Sequence, residues 1–315
     1  LLLATTLTHA QTINGAGSTF GAPLYSKWSE SYNRETGKQV NYQAIGSSGG
    51  IKQIDTKTVD FGATDDPVKS EDLKTKGQHQ FPTAIGGVVA VINLPGVEAG
   101  QVVLDGQTLA NIYSGKINNW KDPAIKKLNS KISFPDMKIS LVVRADGSGT
   151  TAVFTDYLSQ VNKEFKDSIG SGKVVKWTGD VAGGKGNAGV SAMVKQIQGS
   201  IGYVEYSFAK QGKLTYVSML DKKGKTIKPD DDTFAEAAHS ANWNIPGMAV
   251  NLNNQNGWPI TAATFIIVYE ATTPQTKEVI KFFDYAFIKG DKEALALDYV
   301  PLPEKVKNSI RAEWR

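Results

Sequence analysis

Along most of the chain, short apolar runs at strand spacing alternate with stretches in which apolar residues return every three or four positions. This alternation predicts an α/β fold rather than a strand sandwich or a helix bundle. A helix is expected after Gly15 to Phe20, with Pro23 in its first turn and Leu24, Trp28 and Tyr32 on one face. A strand at 40–45 leads through Gly46-Ser47-Ser48-Gly49-Gly50 into a short helix carrying Ile51 and Ile54. A second strand ends in the polar loop Ala63-Thr64-Asp65-Asp66-Pro67, and the next helix is expected to be capped by Ser70.

The run 81–94 is strand-like but broken by Gly86-Gly87, where a crossing strand can flex. Helices follow at 107–113 and after Asp122-Pro123, and a buried-strand pattern at 137–143 precedes a helical pattern at 152–158. Further on come a helix near 190–197, strands at 200–206 and 214–220, and a capping box read at Thr233 to Glu236. A strand at 258–270 marks the return crossing. Two helices close the chain, one opened by Thr273-Pro274 with Val279, Phe283 and Phe287 on a face, the other by Pro303 with Val306, Ile310 and Trp314. The expected division is a leader remnant at 1–10, one lobe from 11–86 plus 256–315, and a second lobe from 87–255.

Composition adds limits. The 315 residues are 40% hydrophobic and 21% charged, ordinary for a globular protein of about two domains. A net charge of +4 with scattered lysines gives no reason to invoke nucleic acid or a membrane surface. The absence of cysteine excludes disulfides, thiolate metal sites, a cysteine nucleophile and a lipobox anchor. Leu1 to Gln11 reads as the tail of a secretory signal peptide, with small residues Thr8 and Ala10 before a cleavage point at Gln11. Export of a soluble protein whose mature chain begins at about Gln11 is therefore expected.

The stretch Arg144-Ala145-Asp146-Gly147-Ser148-Gly149-Thr150-Thr151 joins an expected strand to an expected helix. Unpaired N–H groups and the positive dipole end at a helix start suit a small oxyanion, and glycines permit close backbone approach. An ordinary helix cap explains the same residues. Gly17-Ser18-Thr19-Phe20 and Gly46-Ser47-Ser48-Gly49-Gly50 repeat the chemistry, and strand ends that precede helices gather on one rim of an α/β fold. Asp65 is the acid among these segments. A carboxylate suits a ligand that carries a proton: phosphate donates to it, whereas sulfate meets repulsion and an unpaired acceptor. Arg144 is expected to pair with Asp65, with the ligand or with both.

Other chemistries find less support. Gly179 to Gly186 nearly spells a nucleotide P-loop, but Gly186 stands where Ser or Thr is needed for magnesium. No strand run is read directly before it, and a flexible loop leading to a helix after Asn187 is expected, with Lys185 as a charge near the cleft. His79 and His239 form no metal-spaced cluster, no G-x-S-x-G elbow exists, and Ser47, Ser48 and Ser148 lack an evident base. An exported phosphatase using the same anion seat and a surface adhesin are the rival classes.

The segments INGAGSTF, VNYQAIGSSGG, VDFGATDDP, FPTAIGGVV, RADGSGTT, GGKGNAG, IGYVEYSFAK and WPITAATF together resemble the periplasmic phosphate-binding protein family of Pst-type high-affinity phosphate ABC importers. The resemblance spans the chain beyond the leader. It implies a two-lobed, type II-like periplasmic binding protein fold, with the ligand in the interdomain cleft and no catalysis. It further implies a monomer without cofactor or metal, and delivery of inorganic phosphate to membrane permease and ATPase subunits. Carried over by position, phosphate-binding residues fall on Ser18, Thr19, Phe20, Ser47, Asp65, Arg144, Ser148, Gly149 and Thr150, with Asp146 in support. Gly21 departs from the pattern, because relatives often have proline there.

Overall fold

The computed structural model describes residues 12–270 and 273–314. The expected leader and its cleavage point lie outside these residues.

Three strand–helix units come first: β1 (Ile13–Gly17), α1 (Ala22–Thr36), β2 (Val40–Ala44), α2 (Ser47–Asp55), β3 (Phe61–Thr64) and α3 (Ser70–Lys76). The long strand β4 (Gln78–Ile92) follows. Beyond it lie β5 (Val103–Leu104), α4 (Gly106–Tyr113), α5 (Pro123–Leu128), β6 (Ser140–Arg144), α6 (Gly149–Val161), α7 (Lys163–Ser168), β7 (Val181–Gly184), α8 (Gly186–Gln196) and β8 (Ser200–Glu205). Next are α9 (Tyr206–Gln211), β9 (Thr215–Tyr216), β10 (Ser218–Leu220), β11 (Thr226–Ile227) and α10 (Asp231–His239). The chain closes with β12 (Thr261–Tyr269), α11 (Pro274–Lys289), α12 (Asp291–Ala296), β13 (Val300–Pro301) and α13 (Glu304–Glu313).

The main sheet runs in the order β2-β1-β3-β12-β4-β8-β6-β7, and β4 is its pivot. Its first part, Gln78 to Gly87, pairs antiparallel with β12, and from Val88 to Ile92 it pairs with β8 instead. On one side of the pivot β2, β1 and β3 are parallel; on the other β8, β6 and β7 are parallel. The loops after β1, β2, β3, β6 and β7 therefore leave from carboxyl ends of parallel strands, the rim where α/β sheets hold ligands.

The helices carry the expected faces. Leu24, Trp28 and Tyr32 of α1 are buried, and Tyr32 meets Phe282 of α11 edge to face at 5.3 Å between ring centres. Gly37 ends α1 in a left-handed conformation, φ 72°, and its N–H bonds the Asn33 carbonyl.

Several local expectations are corrected. β4 passes unbroken through Gly86-Gly87, and those glycines make room for packed rings. A Cβ at Gly86 would stand 2.9 Å from the Phe20 ring, and one at Gly87 2.1 Å from that of Phe234. Ser70 does not cap α3; Lys69 occupies the cap position and offers no side-chain bond. The capping box is Asp230 with Thr233, three residues earlier than read, because Asp230 Oδ1 accepts from the Thr233 N–H. Among the described residues no strand directly precedes the glycine-rich P-loop look-alike, but part of the stretch read as a flexible loop is itself a strand, β7, paired along β6, and α8 starts at Gly186 rather than after Asn187. Glycine-rich strands carry little apolar signal, which hid this one.

Candidate functional site

The loops after β1, β2, β3, β6 and β7 meet between the two sides of the pivot strand. Ser18, Ser47, Ser148 and Thr150 are buried, as are Thr19, Phe20, Asp65 and Arg144. Gly149 is buried as the first residue of α6.

The ordinary cap explanation holds at one position only. Ser148 caps α6, its Oγ accepting from the Thr151 N–H at 2.9 Å. The starts of α1 and α2 carry no side-chain cap, so the hydroxyls of Ser18, Thr19 and Ser47 serve other partners. Ser18 Oγ donates to Asp65 Oδ1 at 2.5 Å and accepts from the Phe20 N–H at 3.0 Å. Ser47 Oγ accepts from the N–H groups of Asp65 and Gly149, at 3.3 and 3.1 Å.

The two sides touch across this cleft. The Ser48 N–H donates to the Gly147 carbonyl at 3.1 Å. Gly149 is glycine by necessity: a Cβ there would lie 2.4 Å from Ser47 Oγ and 2.6 Å from Asp65 Oδ2. Lys173 Nζ bonds Asp66 Oδ2 at 2.5 Å, so the neighbouring carboxylates diverge, Asp65 inward and Asp66 to the rim. A cavity of about 340 Å³ opens beside the seat, lined among others by Thr19, Pro23, Ile45, Asp146, Lys185 and Phe208.

Arg144 does not ion-pair with Asp65. Its Nε and Nη2 grip Asp146 Oδ1 and Oδ2 at 2.8 and 2.6 Å, and Nη1 reaches Thr150 Oγ1 at 3.3 Å. The short side chain two residues along the same loop offers a two-pronged match that Asp65, on the opposite side, does not. Asp146 also accepts from the Gly186 N–H at 3.0 Å. Burial pushes the Asp146 carboxyl up, but the Arg144 bonds and charge and the Gly186 N–H prevail and hold it below the usual value. Asp65 differs: burial raises its pKa to about 6, against the lowering effect of the Ser18 and Thr264 hydroxyls and the Arg144 charge.

One residue escaped sequence reasoning. Asn187, fully buried at the start of α8, donates from N and Nδ2 to Thr19 Oγ1 at 3.1 and 2.7 Å, and from Nδ2 to Thr150 Oγ1 at 3.2 Å. Its signal was present in a fourth glycine-rich strand end, Gly183-Gly184-Lys185-Gly186, which repeats the pattern of the other three. Among the described residues, no group of three or more His, Cys, Asp or Glu is placed to hold a metal ion. No described helix is long and apolar enough to cross a membrane.

Comparison with known proteins adds the relationship. Residues 4–287 match the model of the PBP superfamily domain. The phosphate-binding protein PstS of Pasteurella multocida is 51% identical over 315 residues, covering 98% of this chain and 91% of that protein. PstS of Methanocaldococcus jannaschii is 36% identical, covering 93% of this chain and 83% of that one. In fold, the chain is similar to an ABC-type phosphate transport receptor from Vibrio cholerae, with a TM-score of 0.59 at 20% identity, covering 92% of this chain and all of that one. A cleft built from five strand-end loops, and identity sustained over nearly the whole length of these relatives, have one reading: the chain belongs to the PstS family within the PBP superfamily.

Proposed function

We propose that the cleft captures one inorganic phosphate in the periplasm, and that the chain, as a monomer, delivers it to the permease and ATPase subunits of an ABC importer. The observation that carries this reading is Asp65: a buried carboxylate with no ion-pair partner among the described residues, set amid hydroxyls and N–H groups. In a seat of donors, such a carboxylate is useful to a ligand that brings its own proton. The PstS relatives, named as phosphate-binding proteins, support the same ligand. Like them, the chain is a binding protein and not an enzyme.

Ser18, Thr19, Phe20, Ser47 and Asp65 act from one lobe, and Arg144, Ser148, Gly149 and Thr150 from the other. Asp65, oriented by the Ser18 hydroxyl, takes the ligand proton while the Thr19, Ser47 and Thr150 hydroxyls and main-chain N–H groups hold the bare oxygens. The lobes are 11–86 plus 256–315 and 87–255, a division supported by the change of partner along β4 between Gly87 and Val88.

Calorimetry with phosphate and with sulfate near neutral pH tests the reading. One phosphate per chain is expected, with sulfate weaker by about 10⁴ or undetected, as for sites that reject an analogue lacking a required hydrogen. No phosphate binding, or equal affinity for the two anions, contradicts it.

A further inference from the structure

A hydroxyl has one proton to donate and two lone pairs with which to accept. Which role it plays toward a ligand depends on what already occupies those lone pairs. Three hydroxyls in the cleft have both filled by groups that only donate. Thr19 Oγ1 accepts from N and Nδ2 of Asn187. Thr150 Oγ1 accepts from Arg144 Nη1 and Asn187 Nδ2. Ser47 Oγ accepts from the N–H groups of Asp65 and Gly149. Each has only its proton left to offer.

Asn187 is common to two of the three, and its own orientation is settled by chemistry. The Glu205 main-chain N–H, which only donates, faces the Asn187 side chain at 2.8 Å, so the atom it meets is Oδ1. Nδ2 must then point at the hydroxyls, and its two hydrogens reach one hydroxyl on each side of the cleft. Asn187 is buried, so water does not compete for these bonds.

We infer that Asn187 is a positioning residue for specificity: it holds the Thr19 and Thr150 hydroxyls as donors only, leaving Asp65 as the acceptor for a ligand proton. This rests on the reading of the cleft as a phosphate site. Without Asn187 both hydroxyls regain a lone pair and rotate between donating and accepting. Two ligand bonds are weakened, and the demand that the ligand's proton meet Asp65 is relaxed.

The test is a double-mutant cycle on phosphate affinity, measured by calorimetry for wild type, N187L, T19V and the N187L/T19V pair. N187L and T19V are each expected to weaken phosphate binding by about tenfold to a hundredfold, the scale of one hydrogen bond to a charged group. If Asn187 acts through Thr19, the pair falls well short of the product of the two losses. Loss of the Glu205 N–H partner is common to both backgrounds and cancels in the cycle. N187A carries the same expectation and replaces N187L should the leucine chain fail to fold. An unchanged affinity in N187L or N187A, or losses that multiply in the pair, overturns the inference. A wild-type chain that does not bind phosphate overturns instead the functional reading beneath it.

Discussion

Asp65 and Asp146 face the same cleft from opposite sides of the pivot strand, and their surroundings shift their pKa values in opposite directions. Asp146, after β6, is gripped by Arg144 through two bonds and held ionised below the usual carboxylate range. Asp65, after β3, is buried without an ion-pair partner among the described residues, bonded instead to the Ser18 hydroxyl, and raised to about 6. The lesson is a separation of labour. The arginine's charge is largely balanced within its own loop, so that side orients donors, while the uncompensated carboxylate opposite is left as a proton acceptor. Had Arg144 paired with Asp65, a single neutral pair would remain, with little power to tell a protonated oxyanion from a bare one.

The largest way to break this arrangement is R144A. It strips Asp146 of its partner and adds an uncompensated negative charge beside the anion seat. Truncating one member of such a pair costs about 2–5 kcal/mol, so calorimetry should show phosphate affinity falling by roughly 30-fold to several thousand-fold. If the uncompensated charge is the cause, R144A/D146N recovers part of the loss. A pair as weak as R144A alone would mean that Arg144 acts on the ligand and not through Asp146.

A smaller effect concerns stability. The folded chain keeps a proton on Asp65 that the unfolded chain releases, so this group's contribution is full below about pH 4 and is lost as pH rises through about 6. A shift from 3.8 to about 6 corresponds to about 3 kcal/mol between the two limits. D65N, neutral at every pH, should remove that part of the decline in urea unfolding of ligand-free protein between pH 4 and 7. Glu205, also raised by burial, keeps a decline of the same sign in the variant. An identical slope in both chains would mean that Asp65 is not held protonated by its surroundings.

The fold class was legible because strands and helices alternate with clean periodicity, and the pivot was legible in the long apolar run that became β4. What escaped is what local pattern does not encode. Gly86 and Gly87 looked like a break, yet their reason is the Phe20 and Phe234 rings, brought in from distant parts of the chain. β7 was missed because Val181 to Gly184 is half glycine, and Asn187 was passed over with it. The clustered Ser, Thr and Gly segments were visible in sequence. Their division into one true cap at Ser148 and hydroxyls turned to other partners at Ser18, Thr19 and Ser47 depended on which helix starts leave the cap position to glycine. Arg144's choice of Asp146 over Asp65 is likewise a matter of three-dimensional reach.

The central claim, that Asp65 reads a proton on the ligand, is tested most directly by the ratio of sulfate to phosphate dissociation constants, measured side by side for wild type and D65N. Asparagine keeps the shape and replaces an acceptor oxygen with a donor, so phosphate should bind about a hundredfold more weakly or worse while sulfate is no longer repelled, and the ratio should collapse toward one. A ratio in D65N as large as in wild type would contradict the account and place the discrimination on another group.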